Sequence, residues 1–484
     1  MASDSTPAER SAATLSTWDT VSVIVGIVIG AGIYETPPLV FGSVGSGTWA
    51  MIAWGAGGLL CLNGAFTYAE LAGAYPRSGG DFVYLSRAYG SWLGFLFGWA
   101  QLAVILTGSI GMMAYVFADY AATLWQFGPA TTLVYAVGAV VALTLLNILG
   151  VALGKQVQNV LSSAKLLGLA AVVVAGLAFA APPEAAAQSV QASAATAPAA
   201  GVTMAALASA LVLVFLTYGG WNDAAFFVAE MHEGRRIIKA LTLGILIITA
   251  TYLLVNVAYL RALGWQGARD SHAIAADAMQ SAVGPVGARA VAVLVMVSAL
   301  GSVNGLIFAG SRVYAAVGED HRVFALLARR GPRFGSPVWS LVVQAGITLG
   351  MIVLASSSAG QSLLDAVFAA AGLPAVSWSG RGGFETLLRS TAPIFWLFFL
   401  LTSISLFVLR YKEPRVPRPF TAPLFPLCPL LFSATCAYMF YAGVQYAGSL
   451  GFVGGTLLAA GLPVYWASER IARSSRGQTG PTSA

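Results

Sequence analysis

Long apolar runs alternate with short polar segments along nearly the whole chain. Each run has about the length of the roughly 20 apolar residues that a helix needs to cross the hydrocarbon core of a bilayer. The polar segments between the runs are therefore the loops that join the helices. We predict about twelve membrane-spanning helices, at residues 18–42, 48–75, 90–121, 130–149, 157–180, 205–230, 237–262, 286–317, 338–356, 388–410, 422–445 and 448–468.

Composition and charge support an integral membrane protein. Hydrophobic residues make up 58% of the 484 residues and charged residues only 9%, whereas a soluble domain carries about 25% charged residues. The net charge of +6 does not indicate a nucleic-acid partner, because the basic residues lie in short clusters between the apolar runs. If the N-terminus lies inside the cell, about nineteen Lys and Arg fall in inner segments and about five outside, which predicts an inner-membrane protein with both termini in the cytoplasm.

Several classes of function are disfavoured by what the sequence lacks. The polar segment 1–17 has no apolar core with a cleavage site, so we predict a cytoplasmic tail rather than a signal peptide. The scattered cysteines and histidines lack metal-binding spacing, and no cofactor is predicted. No nucleophile converges with a base and no phosphate loop occurs, which argues against an enzyme.

Two predicted outer loops differ from the rest in composition. Residues 181–201 are rich in Ala, Ser and Pro, which is typical of a flexible linker. Residues 357–385 include the apolar stretch 363–373, which is too short to span a bilayer. We predict that this stretch forms a helix lying against the outer surface.

Glycines interrupt the first and the sixth span at matching places. The first contains Gly26, Gly30 and Gly32, and the sixth contains Tyr-Gly-Gly-Trp-Asn-Asp at residues 218–223. Such a pair, five helices apart, is typical of an inverted-repeat transporter whose site lies at the bilayer midplane. The alternative is that the glycines only allow close helix packing. The polar Asn and Asp beside the second cluster favour the transporter, because packing does not require them.

An unwound helix in lipid must have its backbone groups paired, so each break is a candidate binding site. Amides of residues 30–32, at a half-helix N-terminus, suit a carboxylate. Carbonyls near Val28, Leu216 and Gly219 suit an ammonium group. The predicted substrate contacts are Val28, Ile29, Gly30, Ala31, Gly32, Ile33, Leu216, Tyr218, Gly219, Gly220, Trp221 and Asn222.

Residues 26–34, Gly-Ile-Val-Ile-Gly-Ala-Gly-Ile-Tyr, resemble the first-helix signature of the amino acid-polyamine-organocation superfamily. Further segments agree in the expected order and cover the chain from about residue 15 to residue 445. The sequence is similar to the L-type amino acid transporter branch and its bacterial relatives. The matching segments are 68–71 leading to 76–80, 218–223, 301–305 with Ser311-Arg312, and 410–419.

The resemblance implies a five-plus-five inverted repeat followed by two extra helices. It also implies sodium-independent transport of amino acids, with neutral ones favoured, by alternating access. The implied divisions are a tail at 1–17, repeats at 18–180 and 205–410, an outer loop at 181–204, two C-terminal helices at 411–468 and a cytoplasmic tail at 469–484.

Lys165 matches the fifth-helix lysine that, in this family, places its ammonium where sodium-coupled relatives bind an ion. An intramembrane lysine is functional by default because of its insertion cost, although a snorkelling side chain is the alternative. If Lys165 gains and loses a proton during the cycle, transport is proton symport. If first-helix carbonyls and Ser302 keep it a fixed cation, the protein exchanges one amino acid for another. The sequence leaves both mechanisms open.

Departures from the family pattern affect specificity. Leu216 stands where the L-type branch usually has an aromatic outer gate, so either the gate is looser or Trp221 closes it. Ala31 replaces a frequent serine. Glu35 either attracts cationic substrates or is a solvated carboxylate at the outer mouth. Residues 126–129 contain no cysteine of the kind through which animal members attach a helper subunit, so none is expected.

Charged residues at the inner helix ends suggest a cytoplasmic gate closed by ion pairs. The candidates are Glu70, Asp81, Glu230 and Arg312. Solvated interface charges are the alternative, since exposed pairs contribute only about 0 to 1 kcal/mol. For Trp396 on the tenth helix, we favour packing against lipid over lining the substrate.

Two other functions compete with neutral amino acid transport. The first is antiport of a polyamine or a cationic amino acid, supported by Glu35 and Asp223. The second is an amino acid sensor that has the fold but no turnover. The expected partners are an amino acid, protons and the lipid bilayer.

Overall fold

The computed structural model describes residues 16–30, 32–77, 79–179, 203–230, 236–271, 273–331, 335–370, 372, 376, 378 and 382–477. Within these ranges nine helices are long and apolar enough to cross a membrane, and ten if the bent pair at the start counts as one span. The sixth predicted span falls below this length because it is interrupted, and the last two lie in one run at 427–470. The all-α membrane fold with about twelve spans is confirmed.

The first half of the chain forms the first five spans and one short helix. A π-helical turn, Gln101–Ile105, joins the two parts of the third span. The fifth span begins at Val151, earlier than predicted. The helices are α1 Thr17–Val28, α2 Gly32–Val44, α3 Gly47–Ala74, α4 Asp81–Tyr89, α5 Ser91–Ala100, α6 Leu106–Leu124, α7 Thr131–Ile148 and α8 Val151–Ala178.

The second half continues from the sixth span to the C-terminal helices. The sixth span is α9, Met204–Tyr218, followed by a 3₁₀ helix at Trp221–Glu230. Shorter 3₁₀ turns lie at Arg322–Phe324 and Gly448–Leu450. The remaining helices are α10 Arg236–Asp270, α11 Ile274–Val283, α12 Pro285–Asp320, α13 Val338–Ser356, α14 Ser358–Ala370, α15 Gly383–Lys412, α16 Leu427–Ala447, α17 Gly451–Ala459 and α18 Gly461–Gly477.

Some predicted segments have different bounds or lie outside the described residues. The short helix predicted at 363–373 corresponds to α14. The last helix extends to Gly477, past the predicted start of the tail at residue 469. Residues 1–15, 180–202 and 478–484, which include most of the predicted N-terminal tail and outer linker, are outside the described residues.

The first span starts and stops for local reasons. Ser16 and Asp19 form a capping box that satisfies amides at the start of α1. The helix then ends at Val28 and α2 begins at Gly32.

The start of α1 defines what we call the N-terminal face of the bundle, where α3, α12 and α15 end and where α4 lies. The other end is the opposite face.

Helix α12 lies at the centre of the bundle and packs against α1, α6 and α8. Its small residues allow this closeness. A methyl group on Gly305 would lie 2.7 Å from Ile27 of α1, and one on Gly301 would lie 3.0 Å from Lys165 of α8. The small-residue surface of α12 therefore brings the fifth span and the first break together.

Candidate functional site

The first break exposes carbonyl groups that helical hydrogen bonding would normally use. The Gly30 amide donates to the Val28 carbonyl over 2.8 Å, a tight turn that interrupts the helix. The preceding carbonyls accept from side chains of other helices instead. Val28, Ile29 and Gly30 are buried, Gly32 is half-buried, and Ala31 is outside the described residues.

Lys165 reaches this break from α8. Its Nζ donates to the carbonyls of Gly26 over 2.8 Å, of Ile29 over 2.6 Å and of Ser298 over 3.0 Å. The side chain is fully buried, so it does not snorkel to an interface. The ammonium group thus joins the first span, the fifth span and α12 at one point.

Two serines of α12 complete the contact with the first break. The Ser302 hydroxyl lies 3.1 Å from the Gly26 carbonyl and 3.2 Å from the Ile27 carbonyl. The Ser298 hydroxyl donates to the Ile29 carbonyl over 2.9 Å. The structure places the predicted Ser302 beside Lys165 and adds Ser298, which the sequence analysis missed. Its position one helical turn before Ser302 is the signal that would have indicated it.

The second break depends on a glycine that no larger residue can replace. Gly220 has φ of +103°, and a methyl group there would lie 2.5 Å from Ile27 of the first span. Its carbonyl accepts from the Asp223 amide over 3.2 Å, which starts the 3₁₀ helix. The strain of a side chain at this φ and the clash with Ile27 both require glycine. The two breaks therefore touch directly.

Tyr252 of α10 links the two breaks. Its hydroxyl lies 3.0 Å from the Val28 carbonyl and 3.1 Å from the Thr217 carbonyl. Its ring packs edge-on against Trp54 and Tyr218, with centroids 5.4 and 5.1 Å away. The sequence analysis missed Tyr252, although a tyrosine in the middle of an apolar span is itself a signal.

Part of the second break is only half-buried, and we call the space beside Leu216 and Gly219 the hollow. Leu216, Gly219 and Gly220 are half-buried, whereas their neighbours Tyr218 and Trp221 are buried. A methyl group on Gly219 would meet only the carbonyl oxygens of Leu216 and Phe215, at 3.5 and 3.9 Å. Unlike Gly220, Gly219 faces open space bounded by acceptor groups.

Three other predicted substrate contacts are buried near the two breaks. Ile33 is fully buried on α2. The Asn222 side-chain amide donates to Asp223 over 3.3 Å, while its own oxygen is buried without a partner. Trp221 packs among Tyr68, Phe399 and Phe432.

Trp396 does not pack against lipid, and our prediction for it was wrong. Its side chain is only 3% exposed. The ring packs edge-on against Phe215, with centroids 6.3 Å apart, and against Phe399, at 5.6 Å. The sequence indicates that α15 is apolar but not which side faces the bundle, and close packing against Phe215 places Trp396 inside.

Two of the four gate candidates at the N-terminal face have partners among the described residues. Glu70 is fully buried and binds Arg410 through both oxygens, at 2.8 and 2.6 Å, with Arg418 at 3.4 Å. Arg312 donates to the Phe308 carbonyl over 2.8 Å and to the Ser311 hydroxyl over 3.1 Å.

The two remaining gate candidates are not brought into this pairing by the described contacts. Asp81 is buried at the start of α4. The side chain of Glu230 is outside the described residues. A pair that the sequence did not suggest, Arg77 with Asp320 at 2.5 Å, links the end of α3 to the end of α12.

The comparisons with known proteins agree with this geometry. The family model for amino acid permeases matches residues 15–466. The chain is 27% identical to the serine/threonine exchanger SteT of Bacillus subtilis, over 93% of this chain and 95% of that protein. It is 28% identical to the human large neutral amino acids transporter small subunit 2, over 92% and 78%. It is 26% identical to the human b(0,+)-type amino acid transporter 1, over 88% and 81%.

Proposed function

This chain belongs to the amino acid permease family and transports amino acids, and from that premise we propose that it carries neutral amino acids without sodium, by alternating access. The proposal that transport does not need sodium rests on the position of the Lys165 ammonium group. It lies 2.6 to 3.0 Å from the carbonyls of Gly26, Ile29 and Ser298. A cation bound to these oxygens would meet a positive charge already in place.

A neutral substrate is supported by the side chains around the breaks. Ile27, Ile29, Ile33 and Phe215 are buried and apolar, which suits an uncharged side chain. Glu35 is exposed on α2, which supports a solvated carboxylate rather than a substrate contact. The substrate carboxylate would bind amides at the start of α2, and its ammonium would bind carbonyls near Leu216 and Gly219.

We assign obligatory exchange as the transport mode. Lys165 holds carbonyls of the first break and of α12 together, and two serine hydroxyls share those acceptors. Hydrogen bonds to several fixed acceptors favour the charged form of an ammonium group, and we propose that Lys165 stays charged during the cycle. If the charge of Lys165 is fixed, the first span rearranges only when a substrate occupies the site. The Bacillus subtilis relative is a serine/threonine exchanger, which supports the same mode.

The proposed orientation places the N-terminal face and both termini in the cytoplasm of an inner-membrane protein. Most basic residues lie at that face, including Arg77, Arg87, Arg322, Arg410 and Lys412. Although the names of some relatives include the words small subunit, we propose that this chain acts without a helper. The connection between α6 and α7, residues 125–130, offers no cysteine for attachment.

The test is uptake of labelled L-serine and L-leucine by proteoliposomes. One set is preloaded with unlabelled amino acids at equal pH, and the other is empty with an inward proton gradient. Exchange predicts uptake only into preloaded vesicles, unchanged when sodium is replaced by choline. Accumulation driven by the gradient in empty vesicles would instead establish proton symport, and dependence on sodium would contradict the role given to Lys165.

Specificity and the helper subunit are checked in the same vesicles. L-arginine and putrescine, at tenfold excess, should leave serine exchange nearly unchanged if the substrate is neutral. Strong competition by either would replace this proposal with cationic antiport. Exchange by the purified chain alone would support transport without a helper. Vesicles in which none of these compounds is exchanged would reject the transport mechanism proposed here.

A further inference from the structure

One side of α8 is polar and faces the first half of the first span. Lys155, Asn159, Ser162 and Lys165 follow one another at steps of four, three and three residues, which places them on one side of the helix. In an apolar span such side chains need partners, because unpaired polar groups in a membrane are costly. Lys165 binds the first break, as described above. The contacts of the other three lie outside the substrate site proposed above.

These three side chains bind α1 in order along its length. The Lys155 Nζ lies 3.3 Å from Asp19 Oδ2, and the Asn159 side-chain amide donates to Asp19 Oδ1 over 3.1 Å. The Ser162 hydroxyl donates to the Ser22 carbonyl over 2.9 Å. Moving away from the N-terminal face, each step on α8 therefore meets the next turn of α1. We call these three contacts the α1–α8 seam.

The seam is tight because α1 carries a glycine where it meets α8. A methyl group on Gly26 would lie 1.8 Å from Gln158 Nε2 and 2.6 Å from Ser162 Oγ. The two helices could not approach this closely with a larger residue at this position. The seam thus depends on the same residue whose carbonyl binds Lys165 over 2.8 Å.

Helix α8 is itself fixed to the helices behind it. The Asn304 side-chain amide of α12 donates to Gln158 Oε1 over 2.8 Å and to the Gly154 carbonyl over 3.2 Å. Asn147 of α7 donates to Asn304 Oδ1 over 2.8 Å, and Gln158 Nε2 donates to Ser162 Oγ over 3.3 Å. These side chains are buried, where hydrogen bonds are strong. They hold α8 to α7 and α12 independently of α1.

Helix α1 is the partner that can move away from the seam. It is separated from α2 by the break between Val28 and Gly32. At the N-terminal face the side chains of Lys155 and Asp19 are 24% and 15% exposed, so water reaches their ion pair, whereas Ser162 is buried. The seam therefore opens from the ion pair inwards, and α1 tilts about the break while α8 stays in place.

We propose that the α1–α8 seam sets the equilibrium between the closed and the open N-terminal face. While the seam is intact, the Gly26 carbonyl stays within reach of Lys165 and the face is closed. When the seam breaks, α1 leaves α8 and the face opens. The link to transport rests on the proposed alternating access, but the effect of the seam on access to this face does not. Its positioning residues are Asp19, Lys155, Asn159 and Ser162.

The first test measures access to the N-terminal face in purified full-length protein in detergent. Thr20 of α1 is fully buried, so a thiol introduced by Thr20→Cys reacts with a maleimide only when α1 moves. The three native cysteines are replaced by alanine in this chain. Lys155→Met and Ser162→Ala, each added to it, should raise the labelling rate about fivefold, because either loss enlarges the open population.

Two matched variants separate the seam from a general loosening of the fold. Lys155→Arg keeps a cation opposite Asp19 and should restore the slow labelling rate. Ser163→Ala, at the exposed neighbour of Ser162, should leave the rate unchanged. Equal rates in Lys155→Met, Ser162→Ala and the parent chain would overturn the proposal. Faster labelling in all four variants would overturn it as well, since the matched variants keep the seam.

The second test measures the KM for L-serine at each side of proteoliposomes, without the labelling substitutions. Substrate at the opposite face binds only while the N-terminal face is closed, so a smaller closed population raises the KM there and lowers it at the N-terminal face. Lys155→Met should change the ratio of the two KM values about threefold, and Lys155→Arg should restore it. Loss of folded protein alone would leave the ratio unchanged.

The two tests keep the seam and the proposed function distinguishable. An unchanged KM ratio in Lys155→Met would overturn the role of the seam in transport. If neither the wild type nor any variant exchanges serine, the proposed function fails, and the labelling rates still decide whether the seam closes the N-terminal face.

Discussion

The strongest prediction concerns the replacement of Lys165 by methionine, which keeps the length of the side chain and removes the ammonium. Three hydrogen bonds are lost, to Gly26 at 2.8 Å, Ile29 at 2.6 Å and Ser298 at 3.0 Å. A hydrogen bond to a charged group contributes about 1.5–3 kcal/mol to stability. The total is smaller than their sum, because methionine does not need to be desolvated.

The serines limit the loss further. Gly26 and Ile29 carbonyls keep the hydroxyls of Ser302 and Ser298 as donors, at 3.1 and 2.9 Å. We therefore expect a net loss of about 3 kcal/mol in the interactions that hold the first break. If transport depends on this arrangement, the exchange rate falls about 100-fold, since 1.4 kcal/mol corresponds to a factor of about ten.

The assay is the initial rate of labelled L-serine exchange, with protein amount and folding checked by chromatography. Lys165→Arg should also fail. The fully buried Nζ already lies 2.6 to 3.0 Å from three carbonyls, and a guanidinium needs more room than an ammonium group. Lys239→Met, at an exposed lysine of α10, is the matched control and should exchange normally. Folded Lys165→Met protein that exchanges serine within threefold of wild type would refute the reasoning.

Three further substitutions test other parts of the site. Gly219→Ala should fold normally and raise the KM for serine about tenfold, because its methyl group enters the hollow beside the Leu216 carbonyl. The control Gly350→Ala, at an exposed glycine with open space around it, should leave the KM unchanged. If Gly219→Ala and the wild type have equal KM values, the hollow is not the substrate site. Tyr252→Phe removes the hydroxyl 3.0 Å from the Val28 carbonyl and should lower serine exchange about fivefold, for a loss of about 1 kcal/mol, whereas a wild-type rate would show that the link between the breaks is unimportant. Glu70→Gln leaves Arg410 and Arg418 without their carboxylate and should lower the free energy of unfolding, measured by denaturation in detergent, by about 3 kcal/mol. The control Glu319→Gln, at an exposed acid 3.9 Å from Arg77, should change the free energy of unfolding by less than about 1 kcal/mol.

The sequence alone determined the membrane fold and the position of the two breaks. Length and apolarity of a run decide whether it spans a bilayer, and both are local properties. The glycines of the first and sixth spans indicated the breaks for the same reason, since backbone freedom is a property of the residue itself. The same apolar pattern places Lys165 inside the predicted fifth span.

Only the tertiary structure decided which side chains meet. Arg410 binds Glu70 across 340 positions of sequence, and Tyr252 reaches the Val28 carbonyl across 224. Trp396 is buried against Phe215. Uniformly apolar helices carry little record of which side faces the bundle, because lipid and protein interior are similarly apolar. The rotation of each helix, and with it the contact between the segment before α4 and the 3₁₀ helix, is set by packing between distant segments.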